Sequence, residues 1–571
     1  MTRPPAGRLA ALFVAFALSF AGVGARLVVL QVRDAEAYEA LARDQRLRSI
    51  SLPAGRGTIY DRDRHELALS LPARAVYADP RLVKHPARVA AALAPHLEVP
   101  ARRLERMLAA DGSFVYLARR VDLPIARRIE RLALPGIGLL EETKRYYPGS
   151  DLAAQVLGFV GVDGVGLTGL EMAYEDLLAG DPGRMVIEQD PGGTPIPQAG
   201  ERLVRPVPGE DLVLTLDRDL QFHAQRALQE AVRSNGARGG MVIALRPGTG
   251  EVLAMATAPA FDLNAYSEAP EHLLRNRPVT DVYEPGSVNK VITAAAALEE
   301  RAIGLEETLT VPDTYRVGDG VFHDAHQHPT VPMTLTDIIA DSSNVGTIMV
   351  AERLGKETLD RYLRRFGFGR PTGIGFPGEA DGILLTPERW WQTSMGTIPI
   401  GQGVAVTPLQ MTSVYATIAS GGVRVEPTLV RGTVDGRGRF RPAPAPDEER
   451  VVSRRTARKV TGMLAQAVAE GTGQAARLPG YWVAGKTGTA RKPLEGALGY
   501  SDQYVASFIG FLPARDPAIV IAAILDEPDT VYGGIAAAPL FRDVARFAAA
   551  HLRIPVTRGP VIPPLARETE G

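Results

Sequence analysis

Residues 283–300 read YEPGSVNKVITAAAALEE. Pro285-Gly286 breaks the chain, Ser287 follows, and Lys290 stands three residues further on. The segment after Lys290 is apolar and alanine-rich, which predicts a buried helix. Positions i and i+3 of a helix share a face, so Lys290 lies over Ser287. A serine just after the break sits at the positive end of the helix dipole. Its hydroxyl is a weak nucleophile until a neighbour takes the proton. A desolvated lysine can do this, whereas arginine holds its proton. S-x-x-K occurs nowhere else in the chain. Taken alone it also fits a serine near a helix start beside a surface lysine.

The chain spends lysine sparingly. Of 64 Lys+Arg, the lysines are Lys84, Lys144, Lys290, Lys356, Lys459, Lys486 and Lys492. There is no cysteine, which removes thiol catalysis, disulfides and thiolate metal sites together. A formal net charge of −1 leaves no broad basic field for nucleic acid. At 571 residues the chain is long enough for two or three domains.

Two further motifs carry polar chemistry. Ser342-Ser343-Asn344 is an S-x-N between two helical segments. Such residues also cap helices and make turns. Lys486-Thr487-Gly488-Thr489 is the chain's only K-[ST]-G. Residues 481–483 before it read as strand, with 504–513 and 518–528 as partner strands. Gly488 lets a ligand approach the backbone. Lys486 offers a cation and the threonines offer hydroxyls to a carboxylate.

The rest of the chain sets these motifs in a larger plan. Arg3 and Arg8 precede an uncharged stretch from Leu9 to Ala25, and apolar character resumes after Arg26. This length suits a membrane anchor over 9–31, with residues 1–8 as a cytoplasmic tail. The competing reading is a signal peptide cleaved near 23–25, but the apolar run continues past that point. Residues 33–50 show helical periodicity and carry the chain off the membrane. Residues 32–206 read as a mixed pedestal: short strands near 56–80, amphipathic helices over 85–110 and 123–134, then a Gly-rich and helical stretch over 161–183. From 207 to 552 strands alternate with helices, which predicts a mixed α/β catalytic domain. It opens with a strand and long helix over 209–236 and a hairpin turning at residues 247–250. Residues 553–571 are Pro-rich and polar, and are expected to form a disordered tail.

The order S-x-x-K, S-x-N, K-T-G, with steps of 55 and 144 residues from Ser287 to Ser342 to Lys486, is far more specific than any single motif. With RGTIYDR, RYYPGSDLAAQVLGFVG, GVGLTGLE, YEPGS, SSNVG, GQGVAVTPLQM, AGKTGTA and YVASFIGFLP, the chain resembles the class B penicillin-binding proteins. LPARAVYADP is most like the cell-division subtype. Val288-Asn289 depart from the family, which more often has Thr and a large apolar residue there.

The resemblance implies an α+β architecture: one transmembrane helix, a non-catalytic pedestal of the dimerisation type, and a transpeptidase domain with a mainly antiparallel sheet flanked by helices. It implies that Ser287 attacks the carbonyl between the last two D-alanines of a stem peptide, with Lys290 as general base. Ser342 then relays the proton to the leaving group beside Lys486, and Asn344 binds the peptide. The N–H groups of Ser287 and Thr489 form an oxyanion hole, each donor contributing about 10²–10³ in rate. Thr487, Gly488 and Thr489 hold the terminal carboxylate. No metal or organic cofactor enters. The implied partners are stem peptides ending in D-Ala-D-Ala, β-lactams, a membrane-embedded glycan polymerase and division proteins. The implied place is the cytoplasmic membrane, single-pass, with the catalytic domain outside.

Other features carry less. His323, His326 and His328 near Asp324 read as a structural or surface hairpin rather than a zinc site. Thr407, Pro408 and Gln410 read as a capping box that starts a helix. Three rival functions stay open at this stage. A D,D-carboxypeptidase or β-lactamase would use water, but no convincing deacylating glutamate follows Ser342. A non-enzymatic division scaffold or β-lactam sensor would carry decayed motifs, and all three are complete. A second, glycosyltransferase activity would need paired acids before Pro206, and that region lacks them.

Overall fold

The computed structural model describes residues 6–33, 47–188, 202–494 and 499–557. The expected tail over 553–571 lies largely outside these residues, as does most of the expected linker helix over 33–50. The end of that linker is extended, since Leu47–Leu52 pairs as a strand with Gly183–Glu188. The membrane-length helix Ala6–Val28 continues as π-helical turns to Arg33. Within it, Gly7–Val32 is long and apolar enough to cross a bilayer.

The chain divides into two compact units, each discontinuous in sequence. The first comprises Met1–Gly55, Ala73–Thr143 and Gly180–Pro208. Its core gathers Val76, Leu93, Leu104 and Ile129, from a strand and from the helices Pro86–Leu97, Ala101–Leu108 and Leu123–Arg131. Where short strands are expected near 56–80, the structure has one short strand, Ile59–Tyr60, and one long strand, Glu66–Ala78, of which residues 73–78 belong to this unit.

The second unit comprises Arg56–Pro72, Lys144–Ala179 and Gly209–Gly571. Its centre is a five-stranded antiparallel sheet in the order Val252–Ala258, Gly239–Leu245, Ile519–Asp526, Tyr500–Leu512, Ala484–Pro493. The first three strands are buried along their whole length. Side chains alternate across a strand, so both faces must be covered. Val242 and Ala244 pack with Leu228, Phe541 and Val544, from the helices Arg218–Ser234 and Gly533–His551. Ile243 and Leu245 pack on the other side with Val291, Met411 and Leu464. There the helix Lys290–Glu299 is buried from Lys290 to Leu298, and Pro408–Ala419 begins with the expected capping box of Thr407 and Gln410.

Three of the quoted motifs meet at one carboxylate in this unit. Glu171 of GVGLTGLE is fully buried and accepts from Arg56 Nε at 2.6 Å and Arg145 Nε at 2.7 Å. Arg56 belongs to RGTIYDR and also donates to Glu171 O at 2.7 Å. Arg145 opens RYYPGS and donates to Gly57 O at 2.7 Å. A buried charge is tolerable only when paired and hydrogen-bonded, which explains why these motifs are polar although the site is dry.

Candidate active site

Gly286–Asn289 form a 3-10 turn that runs directly into the helix Lys290–Glu299. Gly286 has φ +60, and a Cβ there would stand 3.0 Å from Thr489 O and 3.3 Å from Ala490 Cβ. Its missing side chain lets the turn carrying Ser287 close on the K-T-G strand. Ser287 is half-buried and Lys290 is fully buried. The Lys290 ammonium nitrogen lies 2.6 Å from Ser342 O, 3.3 Å from Ser342 Oγ and 2.7 Å from Asn344 Oδ1. The first and second motifs are therefore joined through this lysine, whose hydrogen bonds run to the S-x-N and not to Ser287. Val288 and Asn289, the departure from the family, are both fully buried. Asn289 Nδ2 donates to Ile398 O at 2.8 Å, and its Oδ1 is without a partner among the described residues.

The S-x-N follows the helix Leu335–Ala340, which Thr334 and Asp337 start with a capping box. Ser342 has φ +62, a left-handed conformation that costs a non-glycine residue about 1–3 kcal/mol. Strain of this kind is kept where neighbours over-determine it, and here they do. Ser343 caps the helix Asn344–Leu354 by accepting from Gly346 N, and its Oγ donates to Asp324 Oδ2 at 2.7 Å. Val345 N donates to Asp324 Oδ1 at 2.9 Å, and Asn344 Nδ2 donates to His323 O at 2.9 Å.

His328 Nδ1 is 2.7 Å from Pro329 O and its Nε2 is 3.0 Å from Asp324 Oδ2. Those two hydrogen bonds, to Pro329 O first, raise the His328 pKa. Of the residues expected in a hairpin, only His323 lies in one, where Thr314–Val317 pairs with Gly320–His323; Asp324, His326 and His328 follow it outside any strand. Asp324 at its end does more than a hairpin residue would, because it fixes the S-x-N backbone and Ser343. An acid beside histidines was its only trace in the sequence. Asp324→Ala is expected to lower the second-order rate of penicillin acylation by about 10- to 100-fold, the effect of displacing a reacting group. Acylation kinetics beside a melting curve check this; an unchanged rate in a folded variant would contradict it.

The K-T-G lies inside the strand Ala484–Pro493, at the edge of the sheet. Residues 481–483 precede that strand and do not belong to it, which corrects the sequence reading. Tyr481 makes an isolated bridge to Leu478 and its hydroxyl donates to Ile554 O at 2.8 Å, and Trp482 N reaches toward Thr557 Oγ1 at 3.4 Å. Lys486 is 1% exposed. Its nearest acceptors, Thr487 O and Oγ1, are both at 3.5 Å. Burial lowers its pKa to about 7, against the opposing pull of Asp341. Burial also lowers the Lys290 pKa well below the usual lysine range; the like charge of Lys486 adds to this and Asp324 opposes it. Lys486 is thus disposed to lose a proton near neutral pH, and desolvation likewise favours the neutral form of Lys290.

Gly488 is where these segments converge. A Cβ there would collide with Ser507 Oγ and stand 3.1 Å from both Pro285 O and Val288 Cγ1. Thr487 Oγ1 pairs with Thr472 Oγ1 at 2.8 Å. Thr489 Oγ1 accepts from Gly533 N at 3.2 Å, at the start of the C-terminal helix. Thr472 and Gly533 had no signal in the sequence beyond ordinary turn composition.

Serine, two desolvated lysines, a strained serine and an edge strand are thereby collected around one turn. Residues 240–546 match the penicillin-binding protein transpeptidase domain, and residues 51–214 match the penicillin-binding protein dimerisation domain. The chain belongs to the class B penicillin-binding proteins. It is 36% identical to penicillin-binding protein PbpB of Mycobacterium tuberculosis, over 95% of this chain and 84% of that protein. It is 34% identical to peptidoglycan D,D-transpeptidase FtsI of Escherichia coli K12, over 94% of this chain and 90% of that protein. Penicillin binding protein 3 from Mycobacterium tuberculosis, solved in complex with aztreonam, aligns with a TM-score of 0.71 at 34% identity. That match covers 90% of this chain and 99% of the solved one. This class B penicillin-binding protein is therefore a peptidoglycan D,D-transpeptidase.

Proposed function

We propose that Ser287 is the acylated serine and Lys290 its general base. The reading rests above all on the full burial of Lys290, one turn from Ser287, with its ammonium nitrogen joined to Ser342 and Asn344. Neutral Lys290 takes the Ser287 proton as Oγ attacks the penultimate D-Ala carbonyl. The N–H groups of Ser287 and Thr489 receive the oxyanion. Ser342, whose hydroxyl lies 3.3 Å from the Lys290 nitrogen, passes a proton to the departing D-Ala nitrogen as the C–N bond breaks. Asn344 orients the peptide once substrate loosens its tie to Lys290, and Thr487, Gly488 and Thr489 hold the terminal carboxylate. An acceptor amine then attacks the ester, loses its proton through the same groups, and frees Ser287.

The arginine-bearing leader before the apolar helix supports a cytoplasmic N-terminus and a catalytic unit outside the membrane. The likeness of LPARAVYADP to the cell-division subtype supports work at the septum, supplied with strands by a membrane-embedded polymerase. The full chain in detergent, given a thioester donor and a free D-amino acid, tests transfer against hydrolysis. The transfer product should grow with amine concentration at the expense of hydrolysis. Hydrolysis alone, indifferent to amine, would favour a carboxypeptidase.

A further inference from the structure

Glu284 stands three residues before Ser287, and three chain segments meet at its carboxylate. Gly403 N donates to Oε1 at 2.9 Å. The Tyr500 hydroxyl lies 3.0 Å from Oε2 and 3.2 Å from Oε1. Gly403 belongs to the turn that also touches the far side of Pro285, where Gly286 N donates to Gly401 O at 3.0 Å. A Cβ on Gly401 would collide with Gly286 O, so that turn lies against the backbone of the nucleophile segment. Tyr500 begins the strand beside the K-T-G strand, paired with Pro493. Glu284 therefore ties the nucleophile segment to both of its flanks.

We infer that Glu284 is a positioning residue: its carboxylate, gripped by Gly403 and Tyr500, fixes residues 285–287 against the K-T-G strand and so places the Ser287 hydroxyl for acylation. This rests on the reading of Ser287 as nucleophile. The carboxylate does this as an acceptor, without a cationic partner among the described residues. Around the cavity of about 380 Å³ that Glu284 shares, the cations are engaged elsewhere. Arg277 pairs with Asp281 and Asp526, Lys492 with Asp526 and Glu527, and Arg491 donates to Tyr504. Arg275 lies 3.8 Å from Asp281. Burial raises the Glu284 pKa, which the two hydrogen bonds oppose. Protonation would remove the charge that both donors answer.

The test uses the full chain in detergent and a fluorescent penicillin, separating the binding constant from the acylation step. Wild type, Glu284→Gln, Glu284→Ala and Tyr500→Phe are compared from pH 5 to 8.5, with melting curves and intact-mass mapping of the wild-type adduct. Glu284→Ala should slow acylation by about 30-fold at pH 8, within the range seen when a reacting group is misplaced, with binding changed less than about 2-fold. Tyr500→Phe should lose about 3- to 5-fold, the range of one hydrogen bond. The ratio of wild type to Glu284→Gln divides out the lysines and should fall toward one as pH drops. A folded Glu284→Ala that acylates at the wild-type rate, or a ratio that rises as pH drops, would overturn the inference while leaving Ser287 as nucleophile. A wild-type adduct on another residue would overturn both.

Discussion

Lys290→Ala is expected to lower the rate of penicillin acylation by about 10³-fold, within the 10²–10⁴ span of a positioned proton acceptor. Burial is the starting point. Lys290 is fully excluded from water, and its lowered pKa follows first from that desolvation and then from Lys486. An ammonium there is penalised, so burial favours the neutral amine that can accept a proton. Lys290→Arg separates charge from basicity. Arginine keeps the cation and cannot yield its proton, so that variant should be as slow as the alanine. The sign with pH is fixed by the same shift: the base is the deprotonated form, so wild-type acylation rises as pH rises through the lowered lysine pKa. Neither variant should show that rise. Stopped-flow acylation from pH 5 to 9 reads all three, and a Lys290→Arg variant within tenfold of wild type would remove lysine from the role.

What the sequence disclosed and what it hid have physical reasons. Ser287 and Lys290 were legible because i, i+3 spacing on a helix fixes their neighbourhood without any tertiary knowledge. The strands 504–513 and 518–528 were legible because buried strands are continuous apolar runs; the structure gives Tyr500–Leu512 and Ile519–Asp526. The start of the K-T-G strand was misjudged because aromatic and β-branched residues at 481–483 satisfy strand propensity, while packing and an isolated bridge decide their actual state. Asp324, Thr472 and Glu284 were hidden because each acts by a contact closed only in three dimensions. Asp324 meets Ser343 across 19 residues, and Glu284 meets Tyr500 across 216. The departure at Val288-Asn289 is an interior matter, since both residues are buried within the turn that carries Ser287.

The most direct measurement is covalent labelling by a fluorescent penicillin, wild type against Ser287→Ala, with intact mass and peptide mapping. Ser287 is the hydroxyl at the start of the buried helix, on the turn that Gly286 and Gly488 allow to close on the K-T-G strand. Removing it takes away the atom that forms the ester, so label should vanish entirely while the melting curve stays near wild type. One adduct per chain is expected, on Ser287 and absent in the variant. A folded wild type that takes no label, or a Ser287→Ala variant that still carries the adduct, would contradict the assignment of Ser287 as the nucleophile.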